Sequence, residues 1–195
     1  MRDEMHACGM LEFTSIAAGI QSADQMVKTA DVSPVAFRTI CPGKFIAGVR
    51  GDVAAVTASV EAGLRCGGTK VVDWFTLANI HPEVFPALSG LGPDMALLAG
   101  PDGMEALNAL GVIETFSAAA VVLAADRAVK AAAVRLIDIR MAMGLGGKGY
   151  VLMTGDVAAV EAAVRAGESC ADESGLLAGS AVIPRPSASV WKELL

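Results

Sequence analysis

The chain has 195 residues, a formal net charge of −6 and a pI near 4.9, with 54 % apolar but only 5 % aromatic residues. Such a chain is too apolar to be disordered and lacks the basic footprint of a nucleic-acid binder. Its longest apolar run, Ala118 to Ala125, falls far short of the roughly 18 residues of a membrane span.

The polar start, Met1 to His6, has no apolar core of a signal peptide, and the expectation is a soluble cytosolic protein with no membrane partner. Much apolar and little aromatic content points to burial beyond one monomer, as in an obligate oligomer.

In chain order, an apolar strand is predicted from Ala7 to Phe13, followed by Thr14 and Ser15, which can cap a helix running to about Lys28. Two strands follow, near Val35–Ile40 and Phe45–Val49. Asp52 can cap a second helix with Val53, Val56 and Val60 at helical spacing. A strand over Val71–Leu77 closes the unit. The unit then recurs. Gly9-Met-Leu-Glu12 is answered by Gly111-Val-Ile-Glu114, Val27-Lys28 by Val129-Lys130, and Gly51-Asp-Val-Ala-Ala-Val56 returns unchanged as Gly155-Asp-Val-Ala-Ala-Val160. Second-copy strands are predicted at Gly111–Thr115, Arg135–Met143, Tyr150–Thr154 and Leu177–Ile183, with Ser117 and Asp156 as caps. The order β-α-β-β-α-β is the split ferredoxin-like pattern. The fold class is therefore α+β, two tandem ferredoxin-like domains at 1–89 and 109–195. They are joined by a 90–108 linker rich in Gly and Pro.

Of the four cysteines, Cys8, Cys41, Cys66 and Cys170, no two have C-x-x-C spacing. Cys66 and Cys170 are equivalent in the repeat, which favours a packing role. Cys41 has no counterpart and sits in Ile40-Cys41-Pro42-Gly43. Pro42 fixes φ and Gly43 admits unusual backbone angles, so this tight turn presents its thiol.

Gly9-Met-Leu-Glu12, Asp24 to Lys28, Gly51-Asp52-Val53 and Ile183-Pro-Arg-Pro186 together resemble the bacterial microcompartment shell (BMC) domain. Two copies in one chain resemble the tandem-domain shell trimers. Thr39-Ile-Cys41-Pro-Gly-Lys-Phe45 with Leu77-Ala-Asn-Ile-His-Pro82 resembles the PduT type of propanediol-utilisation compartments. The resemblance implies a homotrimeric pseudohexameric tile in a microcompartment shell, packed among other shell proteins. It also implies no catalytic residues and no enzymatic activity. The resemblance also implies one [4Fe-4S] cluster per trimer on the threefold axis, with Cys41 of each chain as its metal ligand and a redox enzyme or electron carrier as partner. One thiolate cannot hold a cluster, but threefold symmetry brings three together, one short of the usual four. Pro42, Gly43, Gly144, Gly146 and Gly147 are expected to line the centre. Lys28, Lys130 and Arg185 match the family's tile-edge positions, with His81 standing where the first copy lacks the arginine. Lys28 and Lys130 also suit the ends of their helices as cations at the dipole.

Two alternatives remain open on the residues: a trimer whose centre is a small-metabolite pore with Cys41 unmetallated, and a non-tiling ferredoxin-like trimer binding a small regulator. Gly144-x-Gly146-x-x-Gly149 formally matches a dinucleotide fingerprint, but a strand, Tyr150–Thr154, follows where a helix is required. His6 near Cys8 is too few ligands for zinc. Glu12 and Glu114, duplicated in the repeat, read as structural carboxylates rather than an acid/base pair.

Overall fold

The structure, a computed structural model, describes residues 7–89, 108–141, 144 and 146–194. His6, Met143 and almost all of the expected linker lie outside the described residues.

The first repeat runs β1 (Ala7–Phe13), α1 (Ile16–Thr29), β2 (Ser33–Ile40), β3 (Lys44–Gly51), α2 (Val53–Gly67) and β4 (Val71–Leu77), followed by the short α3 (Val84–Leu88). The second runs β5 (Ala109–Thr115), α4 (Ala118–Ala131), β6 (Val134–Met141), β7 (Gly149–Gly155), α5 (Val157–Glu173), β8 (Leu177–Pro184) and a terminal α6 (Ala188–Leu194). Each repeat forms a four-stranded sheet, ordered β2-β3-β1-β4 and β6-β7-β5-β8. The expected β-α-β-β-α-β order is thus borne out twice. α3 and α6 were not expected.

The chain divides into two compact units. One comprises Met1–Pro82 with Ser117–Ala120 and Met141–Gly147; the other comprises Glu83–Phe116, Val121–Arg140 and Lys148–Leu195.

In the first unit, central β1 is buried along its whole length. It pairs antiparallel with β3 and with β4, setting Glu12 opposite Ile46 on one side and Asp73 on the other. Leu11 and Phe13 point to the helix side, where they pack with Met26 of α1 and Val56 and Val60 of α2. Each such side chain contributes about 1.5–3 kcal/mol by leaving water. Gly9 shows why the repeat motif begins with glycine. A Cβ there would lie 2.3 Å from Val60, and one at Gly111 would lie 2.8 Å from Val160. The helix therefore rests directly on strand backbone.

Ser15 caps α1 by accepting from the Ala18 amide (3.3 Å), and Asp52 caps α2 through Ala55 (2.8 Å). Ser117 accepts from Ala119 and Ala120 at the head of α4. Asp156 is a correction: it occupies the cap position of α5 but makes no side-chain cap bond. Its Oδ1 accepts instead from the Asn108 amide at 3.4 Å.

In the second unit, α6 lays Trp191 on Leu110, Ile137 and Leu152. Strand alternation puts this on the face opposite Gly111 and α5. Glu83 accepts from the amide of Leu136 on edge strand β6 (3.0 Å), satisfying a donor that would otherwise invite another strand.

Candidate functional site

β2 ends at buried Ile40 and β3 begins at Lys44, the two being register partners, so Cys41, Pro42 and Gly43 form the whole connection. Gly43 has φ +71° with open space around it. Cys41 is exposed, whereas Cys8 is buried and Cys66 and Cys170 are half-buried. Cys41 is therefore the thiol this turn presents to solvent.

A second turn lies beside it within the same unit. Gly144, Gly146 and Gly147 all have positive φ (73°, 61° and 93°), backbone that side chains rarely tolerate. The Gly144 amide donates to Cys41 Sγ at 3.4 Å, and a Cβ on Gly147 would sit 3.3 Å from Pro42 Cδ. The glycine turn thus joins strand to strand and supplies a donor to the thiol. Open space surrounds Gly144 and Gly146 as well.

The base of the Cys41 turn is fixed electrostatically. Lys44 Nζ reaches Glu12 Oε1 at 2.6 Å, and Glu12 is fully buried. Glu12 Oε2 also accepts from the Ala118 amide (2.7 Å) and the Ser117 hydroxyl (3.1 Å). Ser117 also bonds Asp73. Burial pushes the Asp73 carboxyl above the ordinary aspartate range, opposed by the Ser117 and Trp74 bonds and reinforced by the charge on Glu12. Asp73 was missed in the sequence, where it reads as one polar residue of an alternating edge strand. Its only signal is that β4 must pair with β1 beside Glu12.

The remaining residues are scattered. Lys28 pairs with Asp24 and Lys130 with Asp126, both at 2.6 Å one turn apart. Arg185 adopts φ +48°, and its amide donates to the Asn108 carbonyl. His81 is half-buried just beyond β4. A cleft of about 380 Å³ is lined by Arg127, Lys130, Ser169, Cys170 and Glu173. Burial there pushes the Cys170 thiol up, with Arg127 pulling the other way. Among the described residues no three His, Cys, Asp or Glu side chains converge as a metal group. No described helix is long and apolar enough to cross a membrane.

The BMC domain family matches this chain twice, over residues 7–80 and 109–186. The chain belongs to the BMC-domain family. It is 43 % identical over 189 residues to the bacterial microcompartment shell protein PduT of Citrobacter freundii, covering 97 % of each chain. It is 30 % identical over 186 residues to the carboxysome assembly protein CcmO of Synechococcus elongatus, covering 92 % of this chain and 65 % of that one. Among solved structures, a microcompartment protein from Desulfitobacterium hafniense superposes with a TM-score of 0.85 at 44 % identity, covering 96 % of this chain and 99 % of that one. The resemblance read from the residues is borne out: this is a tandem-domain, PduT-like BMC shell protein of a bacterial microcompartment. By name, the Citrobacter relative is a shell protein and the Synechococcus one an assembly protein.

Proposed function

We propose that three copies close into a pseudohexameric tile whose Cys41 turns meet at the threefold axis and together hold one [4Fe-4S] cluster, giving the shell a redox-active centre. The observation that carries this reading is the exposed Cys41 thiol, set on a strand-anchored turn with the Gly144 amide aimed at its sulfur.

The donor set fits. A thiolate is the ligand such a cluster takes, and threefold closure converts one thiol per chain into three. Bound there, the cluster supplies one-electron transfer. The chain's own residues do the rest. The Gly144 N–H stabilises negative charge on Sγ. Gly43 and Gly146 leave room where side chains would crowd the centre. The pair between buried Glu12 and part-exposed Lys44 anchors the turn at its base. Lys28, Lys130 and Arg185 face neighbouring tiles at the outer edge, and a redox enzyme or electron carrier is the partner.

Anaerobic purification tests this. The expected product is brown, with about four irons per trimer, while Cys41→Ser is colourless yet keeps the trimer mass. A colourless wild-type protein that takes up no iron and sulfide on reconstitution overturns the cluster and favours a metabolite pore lined by Pro42, Gly43, Gly144, Gly146 and Gly147. Loss of iron from Cys66→Ser but not Cys41→Ser shows a different ligand. Overexpressed sheets or tubes in electron micrographs support tiling; their absence favours the soluble regulator-binding trimer.

A further inference from the structure

Position for position, the second repeat refits the ends of its two helices. Arg127 on α4 stands where the first repeat has Gln25, and Ser169 on α5 stands where it has Arg65. Glu173 takes the place of Thr69. A long cation has thus moved from one helix to the other, and the small serine leaves space. That space is the cleft of about 380 Å³ between α4 and α5, formed wholly inside the second unit. Small-molecule pockets have this size.

The lining is chemically two-ended. Among the described residues no carboxylate pairs with Arg127. Its guanidinium bonds the Cys170 sulfur instead, which leaves most of a five-donor fork open. Lys130 pairs with Asp126 yet keeps 37 % of its side chain exposed. Together with the Ser169 hydroxyl these groups suit carboxylates, which a guanidinium takes in bidentate fashion. Glu173 is the opposite. It is an exposed acceptor at the last residue of α5, where the helix dipole favours a cation. Lys130 offsets the same field at the end of α4. Ala131 and Ala166 complete the lining with apolar surface. A simple anion would be repelled by Glu173, and a simple cation by Arg127. We infer that this cleft binds a small zwitterionic anion of the acidic amino-acid type, with carboxylates on Arg127, Lys130 and Ser169 and an ammonium on Glu173. Each chain supplies the whole site from its own second repeat, so the site needs neither the cluster nor a particular number of chains.

Isothermal titration calorimetry on the full-length protein tests this with L-glutamate as the probe. Glutarate, the same diacid without the ammonium, is the comparison. L-glutamate is expected to bind saturably, and glutarate about threefold more weakly, the scale of one exposed ion pair. Arg127→Gln installs the first repeat's residue and is expected to weaken glutamate about three- to fivefold. Ser169→Arg, also the first repeat's residue, is expected to fill the cleft and abolish binding. Glu173→Gln is expected to weaken glutamate about threefold while sparing glutarate, which erases the preference between them. All three positions are exposed, so each variant is expected to keep the wild-type circular dichroism spectrum. No saturable heat from L-glutamate overturns the site. Binding that survives both Arg127→Gln and Ser169→Arg unchanged lies elsewhere and overturns it too. Glutarate binding as tightly as glutamate, with Glu173→Gln without effect, overturns the zwitterionic ligand.

Discussion

The Gly144 amide points at the sulfur of Cys41 from 3.4 Å, although 103 positions separate them in the chain. The two turns hold each other in place: one supplies the sulfur, the other a backbone donor that no substitution short of proline removes.

Exposure orders the four thiols. In metal-free protein, a maleimide pulse read by peptide mass spectrometry is expected to label Cys41 first and buried Cys8 last. Cys170 is slow at neutral pH, because burial raises its pKa and the thiolate is the reactive form.

Equal distances conceal unequal worth. Lys44–Glu12 and Lys28–Asp24 both span 2.6 Å, but the first carboxylate is fully buried while both partners of the second are largely exposed. Glu12→Ala takes the acceptor from the Ser117 hydroxyl and the buried Ala118 amide as well as from Lys44, and is expected to cost about 1–3 kcal/mol in urea unfolding. Lys28→Ala is expected to cost about 0.3–0.5 kcal/mol.

Asp73 sets a pH dependence. Burial raises its folded pKa above the unfolded value, so the folded chain binds this proton more tightly. The resulting stability is fully present below the ordinary aspartate pKa and is lost as pH rises through the raised value. Asp73→Asn carries no charge at any pH. Its melting temperature is therefore expected to exceed the wild type's most at neutral pH, the gap shrinking on acidification, as followed by circular dichroism.

The duplicated Gly-Asp-Val-Ala-Ala-Val stretches separate in the same way. Asp52 makes its cap bond and Asp156 does not. Asp52→Ala is expected to cost about 1 kcal/mol. Asp156→Ala is expected to cost measurably less, with denaturant midpoints of the two variants as the readout.

These cases mark what was legible. Helix and strand periods are local, so both repeats, all eight strands and the caps at Ser15 and Asp52 could be read from the residues. The Cys41 turn was legible because Pro and Gly announce a turn wherever they fall. Asp156 was misread because a cap depends on which donor reaches the carboxylate first, and Asn108 lies 48 positions away. Asp73 was invisible for the same reason: it acquires its role only from residues brought to it by folding. Helices α3 and α6, at five and seven residues, are too short for a period to show.

Trp191, on α6 of the second unit, is 3 % exposed, while Trp74, on edge strand β4 of the first, is about half open to water. They are the chain's two tryptophans. Its intrinsic fluorescence thus combines a blue-shifted, quencher-shielded emitter and a red-shifted, acrylamide-accessible one. Each reports on a different half of the polypeptide, so unfolding of either half can be followed by colour without attaching a dye.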